Sequence, residues 1–387
     1  LSTAKNFRSI GAKVVKYFLA IAFGWACCVF FLGFPRQDVQ DIFLRRNYVI
    51  NSLDKIDHPD HLLKTDNLEW QGEWILGTYS LATIALTNIA MQYPQTAQDS
   101  SLQISRWIER SLKDDVVLFD RRAWGEDPLD SKVLASDVGH IGYYGHLNMM
   151  LGCYALLNHD GRFTELHRKI SEAIARRMQK CPHRHVDTYP FQNYPPDTTV
   201  AVASLRIMDM VHEPRYSFLI DEWLAQTRKL ENGPFHLIPF QIDSETGLPV
   251  QEPRGTNNAW NTFFLPLIDP AYAREQYQNL KQAFVHRLFG FAGVKESLER
   301  PHFQDRDTGP ALFGFSTAAT VLTIAGAKRF LDQGLYNDLL RTTEFAMITV
   351  SKGNERRYLL PPVLADAIVL AMKTAGPWHP LWNKGSE

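Results

Sequence analysis

Several things are scarce in this sequence, and each scarcity excludes something. Four cysteines in 387 residues cannot make a disulfide-dense scaffold. Cys27 and Cys28 sit in an apolar N-terminal run, which leaves Cys153 and Cys181 for the globular part. One bridge or two thiols are both open to them, so the redox compartment is not fixed. An excess of either charge is also missing. Lys+Arg 41 against Asp+Glu 42 leaves no basic surplus to neutralise a phosphate backbone, and nucleic acid is not an expected partner. H-E-x-x-H, Walker, G-x-S-x-G and G-x-G-x-x-G patterns do not occur, so metalloprotease, phosphoryl-transfer, serine-hydrolase and dinucleotide chemistry lack their scaffolding. Cys181-Pro-His183-Arg-His185 has the residue types of a metal site. Its one-residue gaps are not zinc spacing and no second Cys/His pair follows, so it reads as a solvated loop. No cofactor is expected.

Long hydrophobic runs are absent but for one. Tyr17 to Phe34 carries no charge and is just long enough to cross a bilayer core. Lys5, Arg8, Lys13 and Lys16 precede it, and Arg36 and Asp38 follow. The basic flank stays cytoplasmic by the positive-inside rule, which sends the rest to the periplasmic or extracellular side. A cleaved signal peptide and a buried core helix are the alternatives. No small-x-small site follows the run, which favours an uncleaved anchor. Residues 1–37 are therefore read as flank and anchor, and 38–387 as one helical domain.

What remains is helix. Apolar residues recur at three-four spacing through about twelve segments, including Asp38–Leu53, Leu68–Tyr93, Leu102–Leu112, Gly139–Leu157, Ala271–Leu288 and Pro310–Ala325. Prolines sit at the segment edges, where a missing N–H costs least. Phe235–Ile242 and Leu248–Gln251, around Asp243–Gly247, read as a β-hairpin. The helices alternate in character. One set is apolar all round, as in Gly145–Leu157, and belongs inside; the other has a charged stripe, as in Arg162–Arg177, and belongs outside. Six inner and six outer helices in alternation predict an all-α fold, an (α/α)6 toroid or barrel with a small β-hairpin insertion and an N-terminal transmembrane or signal-anchor helix.

The unusual polar residues cluster where the inner helices begin. Trp70, Glu73 and Trp74 open the first, and Tyr143, Tyr144, His146 and Asn148 the second. Asp197 opens the third, Asn257 and Trp260 the fourth, and Asp307 leads the fifth. In a toroid these ends converge on one mouth, where helix dipoles favour negative charge. Each residue also has a structural reading. Asp197 and Asn257 can be helix caps, His146 a satisfied core histidine, and Tyr143 and Tyr144 packing rings. Glu73 is costly on an apolar face unless it is paired or faces a cavity.

Trp124-Gly-Glu-Asp-Pro128, followed by Ile141-Gly-Tyr-Tyr-Gly-His-Leu-Asn-Met-Met-Leu-Gly-Cys-Tyr154, resembles the linalool dehydratase/isomerase family. Asn258-Ala-Trp260, Asp269-Pro-Ala-Tyr272, Thr308-Gly-Pro310 and Leu364-Ala-Asp366 extend the likeness over roughly residues 65–376. The resemblance implies an (α/α)6 barrel, cofactor-free lyase and isomerase chemistry on a terpene alcohol, and an oligomer. It places the family histidine on His146. The two family cysteines fall on Thr188 and Asp197, so this pocket has more carboxylate and less thiol.

The expected chemistry is removal or migration of a hydroxyl by paired acid and base, with His146 in one role and Asp197 or Glu73 in the other. The partner is a small, mainly apolar alcohol, and a homo-oligomer is possible. Trp70, Trp74, Tyr143, Tyr144, Asn148, Thr188, Asn257, Trp260 and Asp307 are the expected substrate contacts. A carbohydrate-active toroid and a non-catalytic membrane-tethered binding domain are the rival readings. The anchor has its own test. The chain should stay with membranes through high-salt and carbonate washes, and release of the intact chain counts against a spanning segment.

Overall fold

The computed structural model describes residues 14–25, 27, 39–55, 68–300, 305, 308–312, 314–359 and 362–381. The chain is mostly helical. Helix α1 (Val14–Trp25) is short, apolar and exposed along nearly its whole length, so a buried core helix is excluded for these residues. Most of the expected span beyond Trp25 lies outside the described residues. Among them, one helix is long and apolar enough to cross a membrane, Gln71–Gln92, and it is mostly buried inside the protein.

Then come α2 (Val39–Asp54), α3 (Leu68–Gln92), α4 (Ala97–Ser111), α5 (Asp114–Trp124), α6 (Ser131–Ala135), α7 (Ile141–Leu157), α8 (Thr164–Lys180), α9 (Pro195–Val211) and α10 (Ser217–Leu230). Beyond these lie α11 (Gly255–Ile268), α12 (Pro270–Phe284), α13 (Thr317–Arg329), α14 (Gln333–Met347) and α15 (Val363–Thr374). Six of them pack in sequence: α3 on α7, α7 on α9, α9 on α11, α11 on α13, α13 on α15, and α15 back on α3. Helices α2, α4, α8, α10, α12 and α14 lie against this set. The sequence explains the division. Helix α7 is apolar on all sides and almost wholly buried. Helix α8 buries Ile170, Ile174 and Met178 and turns Glu165, Arg168 and Lys169 to water, as an amphipathic stripe requires. Pro195 opens α9 and Pro270 opens α12, where their missing N–H is no loss. Gly125, at φ 77°, ends α5 in the left-handed conformation.

The hairpin at 241–251 is present, as β1 (Gln241–Ile242) and β2 (Pro249–Gln251). Two further β elements were not expected. Strands β3 (Val285–Leu288), β4 (Phe291–Val294), β5 (Ala311–Leu312) and β6 (Phe315–Ser316) form one antiparallel sheet, and β7 (Thr349–Lys352) pairs with β8 (Glu355–Tyr358). The helix expected to run to Leu288 stops at Phe284. A two-residue turn with both φ positive, Phe289 at 49° and Gly290 at 78°, folds the chain back instead, the geometry that matches strand twist. The helix expected from Pro310 starts only at Thr317. Gly309 and Gly314 have positive φ, and Ser316 caps the helix by accepting from the Ala319 N–H.

A buried charge cluster joins the first of these helices to the last. Asp41 on α2 accepts from Arg45 at 3.1 Å, from Arg356 of β8 at 2.8 Å and from Lys373 of α15. Arg45 continues to Glu344 at 2.9 Å and lies over the Tyr358 ring. Burial pushes the Asp41 carboxyl up, but Arg45, Lys373 and Arg356 outweigh it and hold it below the usual carboxylate range. That stabilisation is complete above the ordinary Asp pKa of about 3.9 and is lost as pH falls through the lower folded value. Asp41→Asn should cost about 3–5 kcal/mol in urea unfolding at pH 7, because Arg356 and Lys373 lose the carboxylate they bond and Arg45 loses one of its partners. A loss below about 1 kcal/mol would show that the cluster is not structural.

Candidate functional site

Three positions on α3 mark an opening. Gly77 is half-buried in a helix that is otherwise largely buried, and an added Cβ would meet no neighbouring atom within 4 Å. Glu73 lies one turn before it, half-buried, and Ser80 one turn after, sealed from solvent. Ser80 Oγ is 2.9 Å from His146 Nδ1 on α7. The His146 ring meets Trp260 of α11 edge-on at 5.8 Å. Helix α9 packs between α7 and α11, so a contact that bridges them needs both side chains turned inward. Half-buried positions also occur early in the other helices of the set: Asp197 on α9, Thr317 and Ala318 on α13, Ala365 and Ile368 on α15. Gly77 thus has open space at its Cβ position, one turn before the Ser80 that meets His146, whose ring meets Trp260.

The carboxylates form a second group. Thr188 donates to Asp197 Oδ2 at 2.6 Å, and its own carbonyl accepts from Trp124 Nε1 at 3.1 Å. Asp197 therefore sits in the first turn of α9, where the dipole favours its charge, and is held by a hydroxyl. In the same loop lies Tyr189; burial first, then the nearby Glu73, Asp197 and Asp120 charges, push its phenol far above its ordinary value. Tyr189 thus lies close to both Glu73 and Asp197. His146 makes no hydrogen bond or ion pair with either carboxylate. Burial is the one cause that lowers its pKa, to about 4, so the imidazole is neutral at pH 7. Thr188 packs against Gly142, one turn before His146, which places the carboxylate group beside the imidazole without contact.

Several expected contacts do other work. Tyr143 and Tyr144 are fully buried, and their hydroxyls donate to the Ser111 carbonyl at 3.1 Å and the Pro128 carbonyl at 2.6 Å. Tyr144 also carries the Arg177 guanidinium on its face. Both rings turn to the surrounding helices rather than inward. Asn148 ties α7 to Ser204 at 2.8 Å and Ser171 at 3.1 Å. Asn257 closes the start of α11, its Oδ1 accepting from the Arg254 N–H at 2.7 Å and its Nδ2 donating to Ile238 and Pro239 carbonyls. These four are structural because buried polar groups must be paired, and here they pair with the fold itself. Trp74 packs half-buried against the core. Trp70 opens α3, but its side chain lies outside the described residues, as does Asp307.

The 181–185 loop is not solvated. His185 is fully buried with Nε2 at 3.1 Å from Thr227, and Cys181 Sγ bonds the His185 carbonyl at 2.8 Å. No group of three metal-ligating side chains occurs among the described residues. Cys153 and Cys181 are both free thiols, and burial raises Cys153 to about 12. A separate cavity of about 240 Å³ lies by His167 and His212, where α7 and α9 end. It contains none of the expected site residues.

Gly77, Ser80 and Tyr189 were missed from the sequence. The first two were legible, since Glu73, Gly77 and Ser80 share a helical face by four-three spacing. Compared with models of known protein families, the chain matches none.

The open space has a direct test. Gly77→Ala should stabilise the protein by about 0.5–1 kcal/mol, because a helix gains a better former and the methyl meets nothing. A destabilised variant in thermal or urea unfolding would mean that the space is already filled.

Proposed function

We propose that the six cyclically packed helices are the inner ring of an (α/α)6 toroid, and that its recess catalyses dehydration or isomerisation of a terpenoid or related alcohol by acid–base chemistry. The observation that carries this reading is the pairing of an apolar opening at Gly77 with two kinds of proton-handling group. A neutral imidazole lies on one side, and the Glu73–Tyr189–Asp197 group on the other. Moving a hydroxyl along or off a carbon chain takes one proton to the oxygen and one from a neighbouring carbon. Side chains with pKa values pushed apart perform both transfers. Trp260 and Trp74 shape the recess and stabilise allylic cation character through their ring faces. The likeness to the linalool dehydratase/isomerase family supports the same chemistry, with Thr188 and Asp197 in place of its two cysteines. The exposed, charge-poor α1 supports a membrane-anchored protein with this domain on the non-cytoplasmic side.

A carbohydrate-active toroid is the second reading, and Glu296 favours it. This carboxyl beside the start of α11 is pushed up to about 7 by burial, while Thr256 bonds it through N–H and hydroxyl. That is the profile of an acid poised near neutrality.

A screen of monoterpenols under anaerobic conditions beside short oligosaccharides separates the two. On a terpenol, His146→Ala and Asp197→Asn should each lower turnover on the order of 10²–10⁴. Turnover of oligosaccharides alone, lost in Glu296→Gln, transfers the function to the second reading.

A further inference from the structure

His146 has one hydrogen-bond partner, and which atom donates decides what the imidazole offers to the recess. A neutral imidazole carries its proton on one nitrogen only, and the bond made by the other nitrogen fixes which. The contact here is Ser80 Oγ to His146 Nδ1 at 2.9 Å. Ser80 is fully buried, so its O–H needs an acceptor. Hydroxyls on a helix commonly find one in the carbonyl four residues back. Thr78 and Thr87 on the same helix do this, bonding the Trp74 carbonyl at 2.6 Å and the Thr83 carbonyl at 2.9 Å. Ser80 makes no such bond; its hydroxyl is turned to the histidine instead. If Nδ1 carried the proton, Ser80 would accept and its own buried O–H would be left without a partner. If Nδ1 is bare, the O–H donates to it and nothing is orphaned.

We propose that Ser80 donates to His146 Nδ1 and so holds the ring as the Nε2–H tautomer, an N–H donor for an oxygen atom of the molecule that occupies the recess. Nε2 makes no hydrogen bond in the structure, and it is not among the polar atoms sealed without a partner. It is therefore not sealed by the protein, on a ring that meets Trp260 edge-on. The group it recognises is an acceptor: a hydroxyl, ether or carbonyl oxygen on an otherwise apolar body. Burial keeps the ring neutral, with its pKa near 4, so it grips that oxygen as a donor and does not take a proton from carbon. Ser80 is the positioning residue, and both proton transfers, one to the oxygen from a protonated carboxyl and one from the neighbouring carbon to an ionised one, fall to Glu73 and Asp197. This assignment deepens the lyase reading and rests on it for its catalytic meaning.

The tautomer can be measured without a substrate. Imidazole nitrogens of the full chain, labelled with ¹⁵N-histidine and solubilised in detergent, report which nitrogen is protonated, and His146→Gln identifies the signal. The expected spectrum has His146 as Nε2–H over Nδ1–H by at least about tenfold, the worth of one unsatisfied buried donor, unchanged from pH 5.5 to 8. Ser80→Ala should shift the ring toward Nδ1–H, and Ser80→Thr, which keeps the hydroxyl, should restore it. An Nδ1–H ring in the unaltered protein overturns the proposal, and so does a tautomer indifferent to Ser80→Ala. The expected spectrum in a chain that turns over no alcohol sinks the lyase reading alone.

Discussion

Asp41 is sealed from water with three cations aimed at it, and through them one carboxylate ties α2, β8 and α15 together. The cyclic packing of α3, α7, α9, α11, α13 and α15 includes a contact of α15 with α3. Between their far ends Asn88 makes the join, donating to the Ala371 carbonyl and accepting from Trp378. Asp41 adds α2 and β8 to the same seam. Apolar contacts could hold these helices together in many registers. A carboxylate that must satisfy Arg45, Arg356 and Lys373 at once has one solution. A buried ionic cluster is weak evidence for net stability, and its physical contribution here is the choice of register.

Desolvation also governs the candidate site, with the opposite result. At Asp41 burial is overcome by paired charge. At His146 nothing offsets it, and the imidazole stays neutral. At Tyr189 the charges of Glu73, Asp197 and Asp120 add to it, so the phenol keeps its proton. Of three groups taken out of water, the one with paired cations ends charged and the other two end neutral.

The helical class was legible because α8 carries an unambiguous amphipathic stripe and α7 and α9 are long apolar runs, and the hairpin at 241–251 was legible from its Gly-containing turn. The sheet at 285–316 was not. Its turn places Phe289 at positive φ, where Asn or Gly is the usual signal, so the three-four pattern of α12 ran on unchecked. His146 and Asp197 stand out in the sequence because a polar residue in an apolar helix start is conspicuous. The same cue singles out Asn148 and Tyr144, whose polar atoms bond neighbouring segments of the fold. Sequence periodicity locates a face, but it does not say whether that face meets a cavity or another helix. Gly77 shows the converse: the residue that defines the space is the one with no side chain to notice.

The Asp41 seam also sets a clock. Asp41 and Lys373 are separated by 332 positions in the chain. At a synthesis rate of about 5–20 residues per second, the carboxylate waits roughly 20–60 s before its last cation is made. Through that interval α2 lacks α15, its main helical partner, and the apolar faces of α3 have no α15 to cover them. The helices between can pair locally as they emerge, since α7 with α8 and α11 with α12 are neighbours in sequence. The packing of α15 on α3 and α2 cannot, because those helices are separated by most of the described sequence. Until α15 has been made, α2 and α3 lack a partner that covers part of their apolar surface.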